Sequence, residues 1–340
     1  MTTHTYEAII VGAGPGGLTV AASLLDHGCD PKDLLVVDRG EVGQAWHDYP
    51  VETHLLSESA PNKDDNKIAG VDTSEVFPHI PHPSHIMYQK YLEHVAKVRH
   101  IPVQENCMVE SVVFNPAKQE FVLNLRDESM LVCRHLVWAA GMYDTPKEDL
   151  DMEGCYIHYA KLPYLNDLDA KEVTVVGSAN GASGVVMAVA RPGRKVKMVV
   201  SKSYEIPQPI DCLWKENMQF VKSLERQGMV EIIENFRVNR IYKKDDRYFL
   251  ESEDGKVIDS VDKPIICTGF HPNIEPVKSM VSDYCEDHET RLKLDEFHQS
   301  MQQPGLYFAG VVGRLEHDSG FIISFREFGE PIAKHILKKS

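Results

Sequence analysis

No two of the seven cysteines (Cys29, Cys107, Cys133, Cys155, Cys212, Cys267 and Cys285) form a C-x-x-C pair. That leaves a thioredoxin-type dithiol and a zinc site without support in the spacing, and the thiols read as structural residues of a reducing compartment. Basic charge is also short: 36 Lys and Arg stand against 51 Asp and Glu, a net charge of −15. An excess of this sign argues against nucleic acid or an anionic membrane as partner. No apolar run approaches the roughly 18 residues of a membrane span. Met1 to Tyr6 lacks the basic-then-apolar pattern of a secretory signal, so a cytoplasmic protein is expected. His79, His82 and His85 recur every third residue, but no carboxylate or cysteine joins them at ligand spacing. Pro81 and Pro83 fix the backbone between them. No metal is expected there, and the three read as solvated loop residues.

What is present begins at once. Ala8 to Val11 is a short apolar, partly β-branched run, the pattern of a buried strand. It leads into Gly12-Ala13-Gly14-Pro15-Gly16-Gly17, then a helix-compatible run from Leu18 to Leu25, then a second strand from Leu34 to Val37 that ends in Asp38. The first glycine of such a G-x-G-x-x-G permits the tight turn, the second lets backbone approach a pyrophosphate, and the third lets helix and strand pack closely. The helix N-terminus offers free N–H groups to phosphate, and Asp38, 21 residues past Gly17, is placed for a ribose. The irregular segment after it, with Arg39, Gln44, Ala45 and Trp46, is the kind that runs beside the nucleotide.

The opening pattern recurs 165 residues later. Val173 to Val176 is a strand, followed by Gly177-Ser178-Ala179-Asn180-Gly181-Ala182, a helix to Ala190 and a strand from Val196 to Val200. Alanine at the last motif position is tolerated. No acid closes this copy. Ser201 and Lys202 stand there instead, with Lys195 and Lys197 close in sequence, which suits a 2′-phosphate better than a bare ribose. NADPH is therefore expected over NADH. Two further strands end in small residues and a proline, Trp138-Ala139-Ala140-Gly141 to Pro146 and Cys267-Thr268-Gly269 to Pro272. These read as the places where the chain crosses between domains beside a dinucleotide.

Elsewhere, Ile86 to Val98 reads as a helix, and Ser111 to Phe114, Glu120 to Leu125 and Leu131 to Val137 as strands. A helix is expected over Leu213 to Gln227. Glu231 to Ile233, Val238 to Tyr242, Tyr248 to Ser252 and Lys256 to Asp259 look like one small meander. A strand and glycine turn over 305–313 and a closing helix from Phe321 to Leu337 complete the reading.

Two dinucleotide folds in one chain, the first interrupted by the second, resemble the two-dinucleotide-binding flavoproteins. Motif order, Tyr49-Pro50, His158-Tyr159 and Tyr307-Phe308-Ala309-Gly310-Val311 resemble the bacillithiol disulfide reductase family, itself similar to the flavin monooxygenases. The resemblance covers nearly the whole chain. It implies non-covalent FAD, NADPH as reductant and a homo-oligomer. It places Gly12, Gly14, Gly17 and Asp38 on the FAD pyrophosphate and ribose, with Pro15, Gly16, Ala140 and Gly141 beside them. Gly310 and Val311 fall against the isoalloxazine and ribityl, and Gly177, Asn180 and Lys202 on NADPH.

One departure matters. The bacillithiol enzymes carry a redox cysteine after Gly14-Pro15, where this chain has Gly16, so disulfide exchange beside the flavin lacks its nucleophile. Gly154 to His158 gives the G-x-x-x-H of the monooxygenase fingerprint, though Met152 stands where that fingerprint has Phe. His158 as a mere pin of the domain crossover is the equal alternative.

The expected architecture is α/β, with two Rossmann-like domains. An FAD domain (1–150 and 271–340) encloses an NADPH domain (151–270). The expected function is an FAD-dependent oxidoreductase in which NADPH passes a hydride to the flavin and the flavin passes electrons to a small-molecule acceptor. A disulfide reductase, an oxygen-using monooxygenase and a flavin-bound sensor without turnover all remain open. No acid or base is assigned.

Overall fold

Residues 4–49, 53–60, 62–148, 154–162, 168, 170–205, 215–281, 283–286, 289–314 and 321–338 are described by the computed structural model. The chain divides into two units, one of residues 1–47, 54–145 and 271–340, the other of residues 48–53 and 146–270. Pro50, Met152, Trp214 and Cys212 lie outside the described residues.

The first unit is built on Thr5–Val11, whose last four residues are buried. A strand buried on both faces reads as a continuous apolar run and belongs in a parallel sheet. It pairs in parallel with Leu34–Val37 on one side and with the long strand Met130–Trp138 on the other. That long strand serves two neighbours: its first half pairs antiparallel with Glu120–Leu125, and its last three residues pair parallel with Leu306–Phe308. The sheet runs from Val103–Gln104 through these strands to Val109–Asn115. Helices Pro15–Asp26, His85–Val98 and Gly329–Leu337 supply apolar faces against it, and their side chains share one core with Ile10, Leu34 and Val36.

The second unit repeats the plan at smaller scale. Its larger sheet has five strands, all parallel, in the order Val230–Ile233, Lys195–Val199, Glu172–Val176, Ile265–Ile266, Ile157–His158. The helix Asn180–Val189 makes the first crossover and packs Val185, Val186 and Val189 onto Val173 and Val175. The antiparallel strands Val238–Lys244, Arg247–Ser252 and Val257–Ser260 form a separate three-stranded sheet.

Several local expectations are corrected. Val230–Ile233 is no part of the meander; it follows the helix Lys215–Arg226 and completes a βαβ step, pairing with Lys195–Val199. The closing helix is two, Ile322–Phe325 and Gly329–Leu337, joined by a 3₁₀ turn. At Gly329 an added Cβ would come within 3.0 Å of the Thr19 carbonyl and Ser23 Cβ, so two helices meet there nearly backbone to backbone. Ile157–His158, read above only as part of a G-x-x-x-H pattern, is a short strand. His85 is no solvated loop residue. Ser84 caps the helix by accepting from the Met87 N–H at 3.3 Å, and that turns His85 inward, where its Nδ1 bonds the Trp46 carbonyl at 2.5 Å.

Candidate functional site

At the C-terminal end of the opening strand the chain must turn without a side chain. Gly12 sits at φ +111°, a conformation that L-residues avoid, and an added Cβ would overlap the Ala139 carbonyl. Two backbone bonds fix this corner: Gly12 N–H to the Val37 carbonyl and Ala139 N–H to the Val11 carbonyl, both 2.8 Å. The helix then starts at Pro15, a residue suited to the first helical position because its missing N–H is unneeded there. Its N-cap, Gly14, is extended (φ −87°, ψ −175°) and no atom lies within 4 Å of a Cβ built on it. The helix end therefore faces open space, as a pyrophosphate requires.

Asp38 closes the corner. Its Oδ2 accepts from the Ala13 N–H at 2.7 Å and its Oδ1 from the Gly40 N–H at 3.0 Å. Burial pushes its carboxyl above the ordinary value, and the two N–H donors pull partly back. Arg39, next in sequence, pairs with Asp144. Trp46 packs edge-on to Tyr88 with ring centroids 4.7 Å apart, and Gln44 Oε1 takes the Glu41 N–H at 3.1 Å. Ala45 shares the short helical turn with them. Beyond Ala140, Gly141 has φ +67° and its carbonyl accepts from Asn273 at 2.9 Å.

Gly16 and Gly310 also meet backbone to backbone. An added Cβ at Gly16 would stand 2.5 Å from the Gly310 nitrogen and 2.6 Å from its Cα. Gly310 opens a short 3₁₀ turn that includes Val311 and follows the strand Leu306–Phe308. This contact, with Ala13, Ala139, Asp144 and Gly40, is what sequence reading missed as parts of one corner. The only sequence signal is small residues at the ends of three strands.

The second unit holds an analogous corner. Gly177 has φ +138°, its N–H bonds the Val199 carbonyl at 3.0 Å, and an added Cβ would meet the Cys267 carbonyl at 2.7 Å. Cys267 N–H bonds the Val176 carbonyl at 2.7 Å, the counterpart of Ala139 on Val11. Ser178 leads into Ala179, the extended N-cap, and Asn180 begins the helix, its Oδ1 held by Asn217 at 3.1 Å. A Cβ on Gly181 would touch the Tyr159 ring at 3.2 Å. Ser201 and Lys202 are exposed just past Lys195–Val199.

Other charged and polar candidates have different work. Lys197 bonds Glu172 at 3.1 Å and the Asp259 carbonyl at 2.9 Å, and so is turned away from any ribose phosphate. Lys195 begins the strand, seven residues before Lys202, which is more than 20 Å along an extended chain at about 3.3 Å per residue. Thr268 Oγ1 donates to the Lys147 carbonyl at 2.5 Å, and the Gly269 carbonyl accepts from the Lys147 N–H at 2.9 Å. His158 is fully buried. Its Nδ1 accepts from Ala160 at 3.3 Å and its Nε2 donates to the Gly269 carbonyl at 3.0 Å. Burial lowers its pKa, so the ring is neutral and both nitrogens are spent on backbone.

Four of the five free thiols among the described residues are buried, Cys29, Cys107, Cys133 and Cys267, and Cys155 is half-buried. Cys133 and Cys267 are buried and their pKa values raised by desolvation, and burial pushes Cys29 up to about 11. No cluster of His, Cys, Asp and Glu among the described residues is arranged to hold a metal. No helix among them is long and apolar enough to cross a membrane.

Two sheets with glycine-cornered parallel strands, each with a helix N-terminus beyond its central strand, define a two-dinucleotide oxidoreductase fold. Residues 9–310 match the model of the pyridine nucleotide-disulphide oxidoreductase family, and the chain belongs to that family. Among curated relatives, Bacilliredoxin reductase Bdr of Bacillus subtilis is 25% identical over 343 residues, covering 98% of each chain. Indole-3-pyruvate monooxygenase YUCCA1 of Oryza sativa is also 25% identical, over 69% of this chain and 57% of its own length. Among solved structures, bacillithiol disulfide reductase Bdr (YpdA) of Staphylococcus aureus superposes with a TM-score of 0.83 at 21% identity, over 99% of both chains. A flavin-containing monooxygenase of Stenotrophomonas maltophilia superposes with a TM-score of 0.77 at 16% identity, again over 99% of both. Proteins of this family and fold are FAD- and NAD(P)H-dependent flavoproteins, and the chain is an oxidoreductase of that class.

Proposed function

We propose that the first unit binds FAD at the Gly12–Gly17 corner and the second binds NADPH at the Gly177–Gly181 corner. Electrons would pass from NADPH to a small-molecule acceptor without help from a cysteine. The residues fit. The open helix end at Gly14 would take the FAD pyrophosphate, and the anchored Asp38 carboxylate would take a ribose hydroxyl. Gly310 and Val311 would border the ring system. Bound there, FAD supplies a two-electron relay between nicotinamide and acceptor. Ser201 and Lys202 would hold the 2′-phosphate.

The observation that carries the thiol-free route is the Gly16–Gly310 contact: the position where the bacillithiol enzymes carry their cysteine is closed here by backbone. In the disulfide reductase reading, the acceptor would have to be reduced without a protein mixed disulfide. The monooxygenase relatives and the missing thiol favour oxygen as a second candidate acceptor. His158 adds nothing to it, since both ring nitrogens are engaged.

The test is NADPH oxidation by the flavin-loaded protein, in air and anaerobically with low-mass disulfides. The assay is repeated after alkylation of accessible thiols and in a Cys212→Ser variant. Rates within a few-fold of the parent are expected throughout. A loss of about 100-fold, roughly 2.7 kcal/mol of barrier, in a folded and flavin-loaded sample would show that a thiol carries the chemistry.

Coenzyme choice gives a separate expectation. Lys202→Ala should weaken NADPH by the roughly 1.5–3 kcal/mol of a charge-assisted hydrogen bond, about 10- to 150-fold, and leave NADH nearly unchanged. Equal losses for both coenzymes in titrations would remove Lys202 from the 2′-phosphate.

A further inference from the structure

Tyr204 and Glu234 belong to no motif, yet the fold ties both to the corner where Ser201 and Lys202 stand. Ser201, Lys202 and Ser203 are exposed and form a short arch between two fixed points. At its start, Val200 continues the parallel pairing: its N–H donates to the Ile233 carbonyl and its carbonyl accepts from the Phe236 N–H, both at 2.9 Å. At its end, Tyr204 is fully buried and shares the core of the second unit with Val185, Val186 and Val221.

Tyr204 is held twice. Its N–H donates to Glu234 Oε1 at 2.8 Å, and its hydroxyl lies 2.8 Å from Ser183 Oγ. Ser183, also fully buried, gives its single hydroxyl proton to the Ala179 carbonyl at 3.1 Å, so the tyrosine is the donor of the pair. Burial raises the Tyr204 pKa, which keeps that proton in place. Ala179 is the N-cap of the helix that begins at Asn180. Two buried hydroxyls thus join the far end of the arch to the helix end that would take the pyrophosphate. Glu234 follows Val230–Ile233, the strand beside Lys195–Val199. The acid this corner lacks at the end of its own strand therefore arrives from the next one, where it is engaged with backbone. Asn235, beside it, donates its N–H to the Lys202 carbonyl at 3.4 Å. Association costs whatever ordering a site still lacks, so an arch fixed beforehand binds more tightly than a loose one.

We propose that Tyr204 and Glu234 are positioning residues for coenzyme choice. They hold the Ser201–Ser203 arch at a fixed span from the Asn180 helix end, and the preference for NADPH over NADH depends on that hold. The inference rests on the reading of Ser201 and Lys202 as the 2′-phosphate site. Glu234 acts as the acceptor for the Tyr204 N–H and not through its charge, which has the wrong sign to attract a phosphate. Both coenzymes share the pyrophosphate at the helix end, and only the phosphorylated one meets the arch.

The test titrates NADP⁺ and NAD⁺ by calorimetry into the FAD-loaded full chain and records each variant's melting temperature. Glu234→Ala, a change at the surface, should weaken NADP⁺ by about fivefold and leave NAD⁺ within about twofold, the scale of one lost hydrogen bond. Glu234→Gln keeps an oxygen for the Tyr204 N–H and removes a like charge, so NADP⁺ should bind at least as well as in the parent. Tyr204→Phe should repeat the selective loss of Glu234→Ala. If it does not fold, Ser183→Ala/Tyr204→Phe replaces it, because removing both hydroxyls leaves neither unpaired. Lys202→Ala is measured beside them. If it weakens NADP⁺ selectively while Glu234→Ala and the Tyr204 variant leave the ratio of the two affinities unchanged, the positioning role is overturned and the 2′-phosphate site stands. If Lys202→Ala weakens both coenzymes equally, the site fails and the inference with it. Equal loss of both coenzymes in Glu234→Ala, or a loss in Glu234→Gln as large as in Glu234→Ala, also overturns the proposal.

Discussion

Gly14→Val is expected to leave the protein folded and without flavin. The backbone there is extended, which valine accepts readily, and a Cβ on Gly14 meets no protein atom within 4 Å. The substitution should cost the fold little. The same open space is where the FAD pyrophosphate would lie, so the isopropyl group would sit between the phosphate and the helix N–H groups. Losing two charge-assisted hydrogen bonds at roughly 1.5–3 kcal/mol each corresponds to about 10²- to 10⁴-fold in affinity. Absorbance of the purified variant and its melting temperature separate the two effects. Yellow, stoichiometrically loaded Gly14→Val would sink the assignment of this corner; a colourless, normally melting sample supports it.

Gly16→Cys should fail in the opposite way. It places a cysteine where the resemblance to the bacillithiol enzymes implies one, yet its Cβ would stand 2.5 Å from the Gly310 nitrogen, and that neighbour is backbone that cannot swing aside. Overpacking of this kind costs about 1–3 kcal/mol, a fall of roughly 2–12 °C in melting temperature for a unit of this size. Disulfide turnover is not expected to appear. Gly16→Ala is the control: it should lose the same stability with no thiol involved. If Gly16→Cys melts like the parent and reduces a small disulfide at the expense of NADPH, the closed contact is not what keeps a thiol away.

The architecture is legible because its signals are local. The run from Ala8 through Gly17 to Asp38 holds strand, turn, helix and acid within about thirty residues, and the copy at Gly177 repeats them. What escapes depends on partners distant in the chain. His85 looks like its loop neighbours until Ser84 caps a helix and Trp46 offers a carbonyl. Lys197 looks like a phosphate ligand until Glu172 and Asp259 claim it. The break at Gly329 answers to Thr19 and Ser23, some three hundred residues earlier. Val230–Ile233 is short enough to join either sheet by pattern alone, and the preceding helix decides. Gly16 reads as one more motif glycine, and only Gly310, from the far end of the chain, makes it a constraint.

The way the chain leaves the first unit and returns to it also bears on how such a molecule is assembled. The His271 N–H bonds the Thr145 carbonyl at 2.8 Å, and within the second unit Pro146 and Phe270 form a bridge of their own. Exit at 145 and re-entry at 271 are therefore next-door residues, and the run from 146 to 270 is, topologically, an excursion from a hairpin-like stem, the short piece 48–53 being the second unit's other contribution. Closing a long excursion costs little more than closing a short one, about 0.6 kcal/mol per doubling of length. A stem of this kind lets its cargo vary: the segment it carries can be lengthened, shortened or replaced without altering the strand order of the first unit's sheet.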